Sequence, residues 1–392
     1  MKDHIVITGM GAVSAIGINL AETVQALREG VSGIGTVRFL KTAHREFPVG
    51  EVKVSNASLR HSLHLSEDQM ISRSSLLGIM AVREALNGAG LHQERLALVS
   101  GTTVGGMDQT EQAYPSQLTD AHILHHDCGS CTNDIADYFD CFDFTATSST
   151  ACSSAMNALI LGARMIEAGL RDIVVVGGTE SLTRFHLNGF KSLMILDEQP
   201  CKPFDATRAG LNLGEGAAYL VLEREQSALK RGRRPIAELL GTGNACDAFH
   251  QTATSPDGKG AYLAMRQALE EAQLLPADIN YVNAHGTGTL NNDETESAAL
   301  KRIFGSHMPW VSSTKGLTGH TTSACGSIET VFAILSLQHQ FVPVNAGWAT
   351  PDPACVIPYM GQLLDGPLKY ALCNSFGFGG NDSSIIVGTY GK

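Results

Sequence analysis

Apolar runs of strand length alternate along this chain with longer stretches whose apolar residues recur at helical spacing. The N-terminal "HIVITGMG" goes straight into a strand, and "LALVSG" (Leu96 to Gly101), "DIVVVGG" (Asp172 to Gly178) and "AYLVLE" (Ala218 to Glu223) follow. Runs such as "DIVVVGG" are apolar on both faces, which predicts central strands covered on both sides. The stretches after Cys152 ("SSAMNALILGARMIEAGL") and after His320 ("TTSACGSIETVFAILSLQHQ") are apolar nearly all round, which predicts buried helices. Strands alternating with such helices predict an α/β protein with helices against sheets.

The alternation occurs twice. "LALVSGTTVGGMDQTEQ" (Leu96 to Gln112) has the plan strand, Gly/Thr turn, acidic helix start, and "INYVNAHGTGTLNNDETES" (Ile279 to Ser297) repeats it. Asp108-Gln109-Thr110-Glu111 is matched by Asp293-Glu294-Thr295-Glu296. "SSTAC" (Ser148 to Cys152) and "SSTKGLTGH" (Ser312 to His320) then each precede an apolar helix. A buried strand follows in each half, "DIVVVGG" or "KYALCNS", then a Gly-rich turn, "GLNLGEGAA" or "GFGFGGND", and a last strand, "AYLVLE" or "SSIIVGTY". Such a repeat predicts two pseudo-symmetric halves sandwiching helices between two sheets. The boundary falls in the charged, proline-containing stretch Arg224 to Pro235, giving halves 1–228 and 229–392.

Composition narrows the function classes. A length of 392 residues with 43% hydrophobic and 17% charged residues is that of a globular protein. No apolar run approaches the roughly 20 residues that cross a bilayer, and the N-terminus lacks a signal-peptide pattern. Nine cysteines, an odd number in a large chain, read as reduced thiols in a cytoplasm. A net charge of −11 argues against nucleic acid as a partner, and the basic cluster "KRGRRP" (Lys230 to Pro235) reads as a solvated loop between halves. "ITGMGAVSAIG" (Ile7 to Gly17) has the outline of a dinucleotide fingerprint, but Ser14 stands at the third glycine position, so it reads as a tight strand-to-helix turn.

Candidate chemistry gathers at three places. Cys152 precedes a long helix, where unpaired N–H groups and the helix dipole favour thiolate and predict a pKa below about 8.5. Ser148, Ser149 and Thr150 offer capping oxygens. Of the other cysteines, Cys373 sits in a strand and Cys325 within an apolar helix, without this combination. His285 ends an apolar strand before a Gly/Thr turn, and Lys315 with His320 lies on the loop that mirrors the cysteine loop. A cysteine nucleophile with two histidines and a lysine suits acyl transfer followed by a step that develops an oxyanion. "HHDCGSC" (His125 to Cys131) holds donors enough for zinc, but no second pair at finger spacing follows, so it reads as a polar, mobile segment near an interface.

The chain resembles the β-ketoacyl-acyl-carrier-protein synthases, the elongating condensing enzymes of the thiolase-like fold. The resemblance rests on "VITGMGAVSAIG", "TACSSA", "CKPFDATRAGLNLGEGAAYLVLE", "VNAHGTGT", "SSTKGLTGHT" with "GSIE", and "NSFGFGGND", spread over essentially the whole chain. It implies a five-layered α/β/α/β/α architecture and Cys152 as the nucleophile that takes an acyl chain from a carrier-protein thioester. His285 and His320 would bind the malonyl thioester carbonyl and promote decarboxylation, and Lys315, paired with Glu329, would set their electrostatics. The resemblance further implies an oxyanion hole from the N–H groups of Cys152 and Phe378, and a gate made of Phe376 and Phe378. Thr287 and Thr289 would bind the phosphopantetheine arm, Val104 would line the acyl pocket, and Arg208 would contact the acidic carrier protein. No metal or resident cofactor is implied. The working unit would be a homodimer, or a heterodimer with a second ketosynthase-like subunit.

Two departures stand out. The last loop reads "GGND", with Asn381 and Asp382 where relatives carry Thr and Asn, and "SCTNDIADYFDCFDF" (Ser130 to Phe144) lacks the usual Gly-Pro before the nucleophile strand. Fatty acid elongation and a pathway-specific polyketide or polyene role therefore both stand. A coenzyme-A-dependent thiolase would need a second catalytic cysteine, for which Cys373 is the candidate. A silent chain-length-factor-like partner would typically lack the cysteine that this chain has.

Overall fold

The computed structural model describes residues 4–92 and 94–391. Its strands are β1 (Ile5–Val13), β2 (Leu96–Gly101), β3 (Phe142–Ser148), β4 (Ile173–Glu180), β5 (Gly216–Arg224), β6 (Ala237–Cys246), β7 (Tyr281–Asn283), β8 (Trp310–Ser312), β9 (Tyr370–Gly377) and β10 (Asn381–Gly388). They run in the order β3-β2-β4-β5-β1-β6-β10-β9-β7-β8, so each strand of the first half has its counterpart at the mirrored place in the second. Pairing senses repeat as well. β2 is parallel to β3 and β4 while β5 is antiparallel to β4 and β1. In turn, β7 is parallel to β8 and β9 while β10 is antiparallel to β9 and β6. The two halves join where β1 meets β6 antiparallel, from Ile5 opposite Leu239 to Ile7 opposite Ala237.

Helices complete five layers, α/β/α/β/α. Helix Arg73–Ala89 covers the outer face of β1, β5 and β4, and helix Lys259–Ala272 covers β6 and β10. The strands form one continuous ten-stranded sheet where two sheets were expected, because β1 and β6 pair; between its two halves lie helices Ser154–Glu167 and Cys325–His339, packed on each other. Met156, Leu159, Ile328 and Phe332 belong to the apolar cluster at this centre. The second helix is buried from Cys325 to Leu337, as its all-apolar pattern predicts. The first differs from that expectation, because Leu161 and Arg164 form an exposed face.

The fingerprint-like glycines have a packing explanation. Gly9 and Gly11 lie inside β1, where a Cβ would come within 2.2 Å of the carbonyl oxygens of Ala85 and Ala81 on the outer helix. The turn itself comes later, closed by Ser14 and Gly17 bonding each other's backbones. Gly241 and Gly243 of β6 meet Ala268 and Ala264 of the other outer helix in the same way, at 2.1 and 2.0 Å. Gly243→Val is therefore expected to cost at least about 1–3 kcal/mol through overpacking, visible as a lower midpoint in thermal unfolding with the β6–helix contact forced apart.

Two segments gain detail. "HHDCGSC" is helical: His125 and His126 end helix Asp120–His126, and Cys128 to Cys131 open helix Cys128–Phe139. "KRGRRP" connects β5 to β6 as expected, with Lys230, Arg233 and Arg234 exposed, while Arg231 is tied down, its Nη2 2.8 Å from Glu223 Oε2.

Candidate active site

Cys152 sits in the turn between β3 and helix Ser154–Glu167. Ala151, just before it, takes φ +53°, a left-handed conformation that costs a residue with a Cβ and turns the chain sharply. The serines and threonine expected to cap the helix do something else. The N-cap position is Ser153, with no side-chain cap bond, and Ser154 Oγ accepts from the Thr150 N–H at 2.8 Å, locking the turn.

The thiol is buried, and its pKa is pushed up to about 12 by that burial, against the pull of Lys315 and of the Phe378 and Cys152 backbone N–H groups. This overturns the expectation of a lowered value: loss of hydration outweighs the helix N-terminus. The resting group is a thiol, so a base must take its proton. His320 Nε2 lies 3.0 Å from Cys152 Sγ. Backbone pairing positions this histidine: its N–H donates to Asn212 O at 2.7 Å and its carbonyl accepts from Gly214 N at 2.8 Å.

His285 stands with its ring 5.3 Å from that of His320, nearly perpendicular at 84°. Its N–H and that of Gly286 donate to the two oxygens of Glu296, at 2.9 and 2.8 Å. Burial first, and then the positive charge of Lys315, hold both imidazoles well below the ordinary histidine range, so both are neutral. Lys315 is buried behind them, its Nζ 2.6 Å from Glu329 Oε1. Burial alone would lower the ammonium's pKa, but the Glu329 carboxylate more than offsets it, and the lysine stays protonated.

Cys152, His285 and His320 open onto a cavity of about 240 Å³ that Thr287, Thr289, Phe376 and Phe378 also line. The two threonine hydroxyls are 2.9 Å apart. Phe376 packs on His285 at 5.7 Å between ring centres, and Phe378 stacks on Phe190 at 5.8 Å. The loop carrying Phe378 needs glycine at Gly379 and Gly380, whose φ values are +87° and +80°.

Residues 2–228 match the family model described as beta-ketoacyl synthase, N-terminal domain, and residues 236–348 match beta-ketoacyl synthase, C-terminal domain. The chain belongs to the beta-ketoacyl synthase family. It is 33% identical to the 3-oxoacyl-[acyl-carrier-protein] synthase 2 of Staphylococcus aureus (strain COL), over 98% of this chain and 97% of that one. Among solved structures, the ishigamide ketosynthase/chain length factor superposes with a TM-score of 0.91 at 31% identity, covering 100% of both chains. AntDE:AntF, a type II PKS acyl-carrier protein in complex with its ketosynthase bound to the hexaketide, gives 0.87 at 26% identity, covering 99% of this chain and 100% of that one. The layered fold is thus thiolase-like, as in these ketosynthases.

Within this beta-ketoacyl synthase, other expected site residues fall outside the cavity. Arg208 has a fully buried side chain, with Nη1 2.5 Å from Asp352, Nη2 3.1 Å from Glu294 and Nε 3.7 Å from Asp293. Its charge is consumed by its own chain, so it braces the fold and offers no surface to a carrier protein. Val104 is buried beside Glu180, to which its N–H donates at 3.4 Å, and does not line the cavity.

Other residues gain parts that the linear pattern did not assign. Ser375 Oγ and Cys325 Sγ both donate to the Cys152 carbonyl oxygen, at 2.8 and 3.4 Å. Cys325 is the first residue of its helix rather than an interior one, so Cys152 is not the sole thiol near a helix start. The acidic match between the halves was a signal for Glu296: in the first half Glu111 likewise accepts two backbone N–H groups, from Arg184 and Phe185. The ligand atoms of Cys152, His285 and His320 lie within 4.8 Å of one another, as do those of His285, Cys325 and Glu329. A metal ion there would face the buried Lys315 ammonium, which disfavours a second cation; the set is suited to moving protons.

Asp382, the last residue of the departing "GGND", is fully buried with both oxygens unpartnered. Burial, then the charges of Asp247 and Glu296, push its pKa up to about 8. The folded chain then holds a proton that the unfolded chain releases near pH 4, so this residue's contribution to stability falls from about pH 4 to about pH 8. Asp382→Asn is expected to remove that fall and to stabilise by a few kcal/mol at pH 8, with little gain near pH 4. Urea unfolding of both proteins across this range gives the comparison.

Proposed function

We propose that the chain is a β-ketoacyl-acyl-carrier-protein synthase, catalysing decarboxylative Claisen condensation of malonyl-carrier protein with an acyl chain held on Cys152. The observation that carries this reading is the 3.0 Å contact between Cys152 Sγ and His320 Nε2, with the second neutral imidazole of His285 beside it. In acylation, the thiol proton passes to the His320 lone pair as sulfur attacks the acyl thioester carbonyl. The leaving phosphopantetheine thiolate then takes that proton. The Cys152 and Phe378 N–H groups, both acting on the sulfur's surroundings, are poised to bind the oxyanion.

In condensation, His285 offers its one N–H to the malonyl thioester oxygen, and His320, whose Nε2 has given its proton to the leaving thiolate, does so once its remaining ring proton has moved from Nδ1 to Nε2. As carbon dioxide leaves, its bonding electrons enter the enolate, which those N–H groups stabilise. The nucleophilic carbon attacks the acyl-Cys152 carbonyl and the C–S bond breaks, its electrons leaving with the sulfur as thiolate, which takes a proton from water to restore the thiol. Thr287 and Thr289 would hold the arm, and Phe376 with Phe378 would gate the cavity between half-reactions. The phosphopantetheine belongs to the substrate, so no resident cofactor is invoked.

Carrier protein as partner is supported by the AntDE:AntF complex, and pairing with a second subunit by the ketosynthase/chain length factor assembly. Among the described strands β3 is an edge strand bonded only to β2, and it is partly exposed along its length, suited to a partner chain. No described helix is long and apolar enough to cross a membrane. A cytoplasmic site is supported by the nine cysteines, all free thiols. The test is incubation with acyl-carrier proteins of graded chain length, mapping of the adduct by mass spectrometry, and addition of malonyl-carrier protein. Acylation of Cys152 followed by product release is expected. An acyl group on another residue refutes the mechanism, and no adduct at all favours a silent partner subunit.

A further inference from the structure

Asn381, the first of the two departing residues in "GGND", is the junction of a polar network that joins the two halves beside the nucleophile. Its Oδ1 accepts from Ser153 Oγ at 2.7 Å, from Asn157 Nδ2 at 2.8 Å and from Asn244 Nδ2 at 3.1 Å. Those donors stand on the nucleophile turn, on helix Ser154–Glu167 and on β6. The network closes on itself. Asn157 Nδ2 also reaches Thr150 Oγ1 at 2.9 Å, and Asn157 Oδ1 accepts from Asn244 and from Ser383, each at 2.9 Å.

Two N–H groups that serve as oxyanion donors in the proposed function flank this junction. Cys152 directly precedes Ser153, and Phe378 lies three residues before Asn381 on the loop that Asn381 ends. Between them the loop touches the turn closely: a Cβ on Gly377 would lie 2.8 Å from Thr150 O and 3.2 Å from Ser153 Oγ. The loop has a turn bond of its own, Gly380 N–H to Gly377 O at 3.1 Å, and is held by the Asp247–Gln251 segment, Gly379 N–H donating to Gln251 O at 2.8 Å and Asp247 N–H to Gly380 O at 3.2 Å. None of these bonds reaches the nucleophile turn, so the spacing of the loop's N–H from the cysteine's depends on the bond between Asn381 and Ser153.

We propose that Asn381 is a positioning residue, whose side-chain oxygen sets the two oxyanion N–H groups at their catalytic separation. This rests on the synthase reading above. Displacing reacting groups by about an ångström costs on the order of 10²-fold in rate, whereas a residue important only for folding changes the active fraction.

The experiment is single-turnover acylation by an acyl-carrier protein, followed by mass spectrometry, with rate and amplitude read separately. Wild-type protein must first form the Cys152 adduct; its failure to do so counts against the synthase reading and not against this one. Asn381→Ala is expected to acylate about 10–100-fold more slowly at near-full amplitude, with carrier-protein KM little changed. Asn381→Asp, which keeps the acceptor oxygen, is expected to recover at least half the wild-type rate. A rate within twofold of wild type for Asn381→Ala, or equal losses in the two variants, overturns the assignment. Ser153→Ala removes only the donor beside the nucleophile and serves should Asn381→Ala not fold. A threefold or larger fall in its rate supports the role, and a smaller one refutes it.

Discussion

Cys152→Ala is expected to leave no acyl adduct and to lower condensation on the order of 10⁴-fold or more, the scale on which removal of a nucleophile acts in enzymes that form an acyl intermediate. No neighbouring thiol rescues it. Cys325 Sγ is directed at the backbone side of the site, 3.4 Å from the Cys152 carbonyl oxygen, and does not line the cavity. The measurement is intact-protein mass after exposure to acyl-carrier protein, together with product formation. A variant that still gains the acyl mass would remove Cys152 from the mechanism. Because Cys152 is a single small side chain in a well-packed turn, the variant is expected to unfold close to the wild-type temperature, so lost activity reads as lost chemistry.

The second large effect separates the histidines. His285→Ala is expected to slow release of carbon dioxide from malonyl-carrier protein by about 10²–10³-fold, the value of one oxyanion donor, while Cys152 still acylates. His320→Ala should slow both half-reactions, because its Nε2 also meets the thiol at 3.0 Å. Acylation and decarboxylation assayed separately give the pattern, and equal behaviour of the two variants in both assays would contradict the division of labour. The pH profile adds an independent check. Both imidazoles are held well below the ordinary histidine value by burial and by Lys315. Glu329, which burial raises to about 7, titrates in the same range, so the profile is read in Glu329→Gln as well, where decarboxylation should stay level as the pH drops; a loss centred near the ordinary histidine value of about 6.5 that persists in that variant would mean that the rings are hydrated and free to charge.

Much of the architecture is legible in the chain because the repeat is written twice. Strand-length apolar runs, the acidic helix starts and the Gly-rich turns recur in one order, and order is what the mirrored sheet reads out. The residues of the cavity are legible for a related reason: Cys152, His285 and His320 each sit at an element's end, where polar groups are not needed for packing. Less legible are roles set by burial. Arg208 looks like a surface contact in "FDATRAG", yet three carboxylates from distant segments enclose it. Gly9 and Gly11 look like a phosphate loop, yet they clear space for a helix. Asn381 looks like a minor substitution, yet three donors from separate elements converge on it.

Sequence by itself determined the α/β class, the twofold repeat and which residue types stand at strand and helix ends, since period, turn chemistry and polarity are local properties. The tertiary structure decided distance and hydration. It brought Cys152 and His320 together across 168 residues, and it buried the thiol so deeply that its pKa rises to about 12 where the helix end alone predicts a fall. Whether a thiol is a ready nucleophile or one that needs a base depends on the water and charge around it, and these are known only once the halves have closed on each other.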